Sequence, residues 1–437
     1  MYRSLQQSAR SVAAAVALTA SVPALAGMGN TANTYGLFPV DVGTAQAMSM
    51  FNAQASALYY NPAYLTMDPR GELTAGLLHG EQELKSDDTV VNDTRSQQQL
   101  IALKTNLSEL TKVNHPLYFA IIAGVEKFGE EMLAFNSSTS DEGQFLNYGR
   151  QPLFLNVGGG TQFLNGINVG ASVHISLRSE ATLNASSNLA GETQYEELDV
   201  TAKPVLRPVL STSQEWGKII CGHNDDCWIG GLETALTFRG HTEARTSVES
   251  NIVIPGTVPD PGILLAIDTI DSYQPDIFAA GLKYNFTDNF RMAVTVEQQN
   301  WSDLTEELQR DTVKDQANAQ FKDITVPRVG AEWDVNQHLT LRGGVAFQES
   351  PLESIRTEDV NYLDNDKVIF GLGSSLVIDN PPILAYPMRL DFGYQFQQLE
   401  DRDFELTSSR PGVTNPFATV TAGGEVHVFS GSLTLKF

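Results

Sequence analysis

Lys322, Arg328 and Glu332 stand at even separations, a spacing that places all three on one face of an extended strand. On a face shielded from water, such cations have two uses. They can meet the carboxylate of an amphiphilic ligand, because an anion taken out of water is costly without a partner. They can also join Glu297, Glu332 and Asp391 in structural ion pairs. Lys322, at the outer end of its strand, suits the ligand role, and Arg328 lies deeper on the same face. Arg239, Arg291, Arg342 and Arg389 suit the structural one. A second cluster is the pair Cys221 and Cys227, the two cysteines of the chain. In an exported chain this spacing reads as a small-loop disulfide. His223, Asp225 and Asp226 lie between them, yet their spacing matches no known metal site, so neither metal nor cofactor is expected. The seven histidines are scattered without a local Ser or Asp signature, and neither G-x-S-x-G nor a phosphate-binding loop occurs. The chain is therefore not expected to be an enzyme.

The elements that hold these residues read as strands. Leu339, Leu341, Gly343, Val345 and Phe347 alternate with Thr340, Arg342, Gly344, Ala346 and Gln348. Met388 to Phe396 alternates in the same way with Arg389 to Gln397. The polar faces repeatedly carry an arginine, a carboxylate and glycines, as a barrel interior would, where charges pair. Strands are expected near 71–84, 113–125, 129–138, 150–162, 166–182, 203–219, 228–250, 275–287, 290–300, 322–335, 338–349, 366–379, 386–399 and 425–437. That gives fourteen, an even number as bacterial barrels require. Tight connectors such as Thr287-Asp288-Asn289 alternate with long ones at 251–274, 301–321, 350–365 and 400–424, the asymmetry of periplasmic turns against external loops.

The chain ends support export. Arg3 and Arg10 precede a short apolar run, and Ala24-Leu25-Ala26 fits a leader cleavage site, so residues 1–26 read as a signal peptide. No later stretch reaches the ~18 uninterrupted apolar residues of a membrane helix, so a membrane form must be a barrel, 71–437. The last strand alternates from Phe429 to the terminal aromatic Phe437, which reads as a membrane-insertion signal. With 28 basic against 52 acidic residues the net charge is −24, which excludes a phosphate-neutralising nucleic-acid binder. The acidity suits long surface loops.

Residues 27–70, rich in Ala, Gly, Met and Asn, break the strand pattern and lack the charge of a disordered tail. They are expected to pack inside the barrel. Pro62 fixes its own φ and biases Asn61 away from helix, so Asn61-Pro62-Ala63 should form a rigid corner. Its expected dock is the strand near Phe135, Asn136, Ser137 and Ser138, where apolar alternation breaks and the wall could open sideways. Ile263, Leu264 and Ile267 lie in an apolar cluster of a long loop, either capturing a ligand or packing within that loop. Leu100, Leu103, Leu107 and Leu110 recur at helical spacing in the first external loop.

Asn61-Pro62-Ala63, Asn300-Trp301-Ser302, Phe321-Lys322-Asp323, Phe347 to Leu352 and Leu363 to Lys367 together resemble the long-chain fatty-acid transporter (FadL/TodX) family of outer-membrane channels. The resemblance implies a fourteen-stranded, all-β antiparallel barrel in the outer membrane of a Gram-negative-type bacterium, plugged by an N-terminal hatch. It implies a monomer passively taking up long-chain fatty acids or hydrocarbons, with lateral release. Outer-membrane lipid, lipopolysaccharide and the assembly machinery are the expected partners. The loop near 183–202, short and polar, departs from the family pattern. A structural or adhesive barrel is the alternative reading, and an outer-membrane lipid hydrolase the weakest.

Overall fold

The computed structural model describes residues 30–86, 89–110, 112, 115–127, 133–135, 144–146, 153–187, 193–222, 227–254, 258–310, 319–356, 364–407, 412 and 414–437. Fourteen of its strands close into a ring. They are β1 (Glu72–Ser86), β2 (Thr89–Asn106), β3 (Leu117–Lys127), β4 (Leu153–Leu164), β5 (Ile167–Ser187), β6 (Thr193–Glu215) and β7 (Leu232–Arg239). The other half holds β8 (Asp276–Thr287), β9 (Phe290–Asn300), β10 (Ile324–Asp334), β11 (Leu339–Gln348), β12 (Lys367–Ile378), β13 (Met388–Leu406) and β14 (Ala418–Lys436). Every ring pairing is antiparallel, and β14 returns to β1 from Lys436↔Glu72 to Ala422↔Ser86. Closure leaves no edge whose N–H and C=O groups would face lipid unpaired.

Period-two alternation decides which face is which. On β11, Leu341, Val345 and Phe347 are exposed on the outer surface, while Arg342, Gly344 and Ala346 turn inward. Connections are short at one end, as at 165–166, 288–289 and 335–338, and long at the other, as at 240–275, 301–323 and 349–366. In bacterial barrels the short turns face the periplasm.

The interior is occupied by residues 30–70. These form α1 (Thr31–Thr34), α2 (Pro39–Gly43) and α3 (Ala57–Tyr60), with 3-10 turns at Ser49–Phe51 and Pro62–Met67. Asn30 caps α1, its Oδ1 accepting from Asn33 N at 2.8 Å. Pro39 opens α2, where Phe38 N donates to Asp41 Oδ2 at 3.0 Å. Ala45 and Gln46 adopt positive φ (47° and 65°) and turn the chain back toward its own helix.

Several expected elements are corrected. Residues 89–106 form β2, whereas the sequence pattern places an external loop with helical leucine spacing there. Leu100 faces inward, Leu103 faces outward, and Leu110 sits in a 3-10 turn, Ser108–Leu110. Conversely, of the expected strand at 129–138 the described residues, Leu133–Phe135, stand outside the ring and pair with Gln144–Leu146. The expected count of fourteen is right because these two errors offset. The span 228–250 breaks at Gly240, where β7 ends. Thr242–Ile254 then pairs with Val258–Gln274 in an outer hairpin that runs parallel to β5 from Val248↔Ala181 to Val253↔Ser186. The expected short loop at 183–202 belongs largely to β5 and β6, which pair up to Ser187↔Thr193.

Candidate functional site

The ring's inner surface has two unlike sides. On β2, β3 and β4 the inward residues Leu100, Ala102, Ala120, Ile122 and Phe154, set among the buried polar Gln98, Lys104, Glu126 and Asn156, pack on Leu37, Phe38, Leu58 and Leu65 of the N-terminal segment. A barrel lumen is ordinarily polar, so an apolar strip here is a specific feature of this sequence.

Across the interior, β7 to β13 carry charge in pairs. Glu297 on β9 accepts from Arg239 and lies 2.9 Å from Arg328 Nη1. Farther toward the short turns, Glu332 bridges Arg291 and Arg342, Arg291 Nη1 reaches Asp334 at 3.0 Å, and Arg389 Nε reaches Asp391 at 2.9 Å. Arg207 on β6 is fully buried and donates to the carbonyls of Gly240 and Pro275 and to the Tyr59 hydroxyl. Arg207 and Arg239 both approach the Tyr59 ring, at 6.0 and 5.5 Å from its centroid.

The segment is seated on glycines. A Cβ on Gly344 would overlap the Thr44 carbonyl, one on Gly371 would meet Ala45 N at 2.5 Å, and one on Gly393 would overlap Pro39. A second seat receives Asn61-Pro62-Ala63: Gly160 and Gly170 leave room for the backbone of Pro62 and Ala63. Asn61 Nδ2 donates to Met50 O (2.7 Å) and Ser213 Oγ (2.9 Å), and Ala63 N donates to Ser211 Oγ (2.9 Å). The corner therefore docks on β4, β5 and β6. Asn136 and Ser137 lie outside the described residues. Polar ties complete the attachment: Lys104 Nζ donates to Ala53 O and Asp68 O, and Tyr64 donates to Glu233, which also pairs with Lys283.

At the long-loop end stands a second apolar cluster, in which Trp301, Leu304, Leu308, Phe321, Leu352 and Phe404 are buried together. It gathers the separated sequence stretches noted above. Phe321 bridges Leu352, Ser302 N donates to Asp323 Oδ1 at 2.9 Å, and Ser350 N donates to Asp366 Oδ1 at 2.7 Å. Sequence reasoning used these stretches only for resemblance; their shared burial was not readable from any one of them.

Other expected residues fall in different places. Lys322 does not share the lumenal face of Arg328; it precedes β10, is exposed, and pairs with Glu349 at 3.2 Å. Ile263, Leu264 and Ile267 stand on the outer hairpin opposite Ile252, Asn251 and Val248, in a strand rather than an open loop, and their side chains lie outside what is described. Cys221 and Cys227 are joined, with Cα atoms 5.8 Å apart, in the β6–β7 connection at the short-turn end. His223, Asp225 and Asp226 lie outside the described residues. Phe437 exchanges backbone hydrogen bonds with Gly71 at 2.8 and 3.0 Å.

Residues 240–437 match the family described as outer membrane protein transport protein (OMPP1/FadL/TodX). Alkane uptake protein A of Marinobacter nauticus is 52% identical over 435 residues, covering 97% of this chain and 95% of that protein. A Pseudomonas aeruginosa FadL homologue of known structure superposes with a TM-score of 0.60 at 13% identity, covering 91% of this chain and 98% of its own. The P. putida toluene transporter TodX gives 0.54 at 13% identity, covering 92% and 99%. At such identity the structural likeness speaks to the fold alone.

Proposed function

The chain belongs to the outer membrane protein transport family (OMPP1/FadL/TodX) and is an outer-membrane channel for hydrophobic compounds, and we propose that its own cargo is a neutral, alkane-like hydrocarbon. The carrying observation is the apolar strip on β2, β3 and β4, facing the buried N-terminal segment. A hydrocarbon gains about 0.8 kcal/mol for each methylene removed from water, so the apolar strip favours its entry without energy coupling. The name of the 52% identical relative supports alkanes over fatty acids.

In this reading residues 27–70 are the hatch and Asn61-Pro62-Ala63 is the corner about which it shifts. Cargo enters at the long-loop end and leaves sideways into the membrane on the β2–β4 side. Residues 1–26 direct export, and Phe437 is read by the assembly machinery during insertion of a monomer into lipid and lipopolysaccharide. The test is uptake of labelled hexadecane and of labelled palmitate by cells lacking other such channels. Ile122→Asn places an amide in the apolar strip and should lower hexadecane uptake by about tenfold, as a buried unpaired amide costs ~1–3 kcal/mol. Unchanged hexadecane uptake in a correctly inserted Ile122→Asn barrel would remove the strip from the route. Palmitate uptake without hexadecane uptake would show the cargo to be the acid.

A further inference from the structure

We propose that the described parts of the disulfide-closed connection between β6 and β7, Trp216–Gly222 and Cys227–Gly231, form a membrane-interface anchor that binds the lipid surface on the short-turn side. It is long for that end of the barrel, where the turns at 165–166 and 288–289 are tight. It also exposes the wrong residues for a water-facing loop. Ile220 is 58% exposed and Trp228 74% exposed, while Phe163 beside the adjoining β4–β5 turn is 57% exposed. Large apolar side chains exposed together on one connection mark an interaction surface.

What covers the patch follows from its continuity with the lipid-facing wall. Tyr284, on the outer face of β8, donates its hydroxyl to the Trp228 carbonyl at 2.8 Å and meets the Phe286 ring at 4.9 Å. At the other end of the connection, Trp216 Nε1 donates to Thr234 Oγ1, on the outer face of β7, at 2.9 Å. Both ends are thus fastened to the surface that lipid already wets, and the connection cannot swing beneath the lumen. The neighbouring turn supports it from the side, Asn165 Nδ2 reaching Lys218 O at 3.4 Å.

The disulfide explains how the patch keeps its shape. Ile220 adjoins Cys221 and Trp228 adjoins Cys227, so the bond holds together the two most exposed large apolar side chains among the described residues of the connection. Tryptophan suits this position because its ring prefers the hydrocarbon boundary while its N–H stays in the wet headgroup layer.

The experiment uses the full-length protein in phosphatidylethanolamine–phosphatidylglycerol vesicles, with and without lipids brominated near the headgroup end of the chain. Subtracting the fluorescence of Trp228→Phe from that of the wild type isolates Trp228 among the four tryptophans. Its emission should be blue-shifted, quenched about twofold or more by the brominated lipid, and protected from aqueous iodide. Iodide quenching without bromine quenching would place the patch in the periplasm, in water or awaiting a protein, and overturn the proposal. A Cys221→Ser/Cys227→Ser barrel should lose at least about half of the bromine quenching. Undiminished quenching there would overturn the role given to the disulfide.

Discussion

Adjacent glycines on β11 show how much a single position can mean. Gly343 points to the lipid side, where an added Cβ would find its nearest neighbours at 3.6 Å; on Gly344 it would collide with the Thr44 carbonyl. Both positions read identically in the sequence, as small residues in an alternating strand. Glycine within a strand signals close approach of another backbone, but nothing local says which backbone. Gly344→Ala should unseat α2 and its following turn at a cost of ~1–3 kcal/mol, the usual range for overpacking. Limited proteolysis of the purified barrel should then cut within residues 36–50, whereas Gly343→Ala should remain as resistant as the wild type. Equal resistance in the two variants would mean that the segment does not rest on this glycine.

Elements with a polar inner face and an apolar outer one were legible, and those that invert the rule were not. β11 and β13 announce themselves because Arg342, Arg389 and Asp391 alternate with lipid-facing Leu341, Leu390 and Phe392. β2 hides because its inner face holds Leu100 and Ala102 while Gln97 and Gln99 stand outside, so the alternation that reveals a barrel strand is scrambled by the apolar strip itself. The N-terminal segment was legible as something that must be packed, but not its internal organisation, which centres on Asp41. That carboxylate lies buried at the start of α2, facing Ser49, Ser56 and the backbone N–H groups of Leu37 and Phe38, and burial pushes it up from 3.8 to about 6 despite the hydrogen bond from Phe38 N and these polar neighbours. A folded-state value above the unfolded one means that the seated segment binds more protons than the released one. The stabilisation is therefore complete below 3.8 and is lost as pH rises through about 6. Hydrogen exchange of the segment amides should be slower at pH 5 than at pH 7.5, after correction for intrinsic rates. Asp41→Asn should remove that difference and stay slow at both; a difference surviving in Asp41→Asn would assign the pH dependence to another group.

At the scale of the whole molecule, the ring and its contents are separable in construction though not in function. Each of the fourteen strands is paired on both sides by other ring strands, and β14 closes on β1 without help from residues 30–70. Removing residues 27–63 while keeping residues 1–26 should therefore leave insertion and heat-modifiable mobility intact. The interior would change more. Leu100, Ala102, Ile122 and Phe154 would lose the apolar partners that now cover them, and water would enter beside the ion pairs of β9 to β13. A wet lumen with one apolar side conducts ions readily but no longer offers a hydrocarbon an unbroken dry contact, since each methylene must again displace water at ~0.8 kcal/mol. The truncated barrel should gain steady ion conductance in planar bilayers and lose about tenfold in hexadecane uptake. Gain of conductance with undiminished uptake would reduce the segment to a seal, leaving transport to the wall alone. Undiminished uptake with no gain of conductance would place the route outside the lumen and sink the hatch reading.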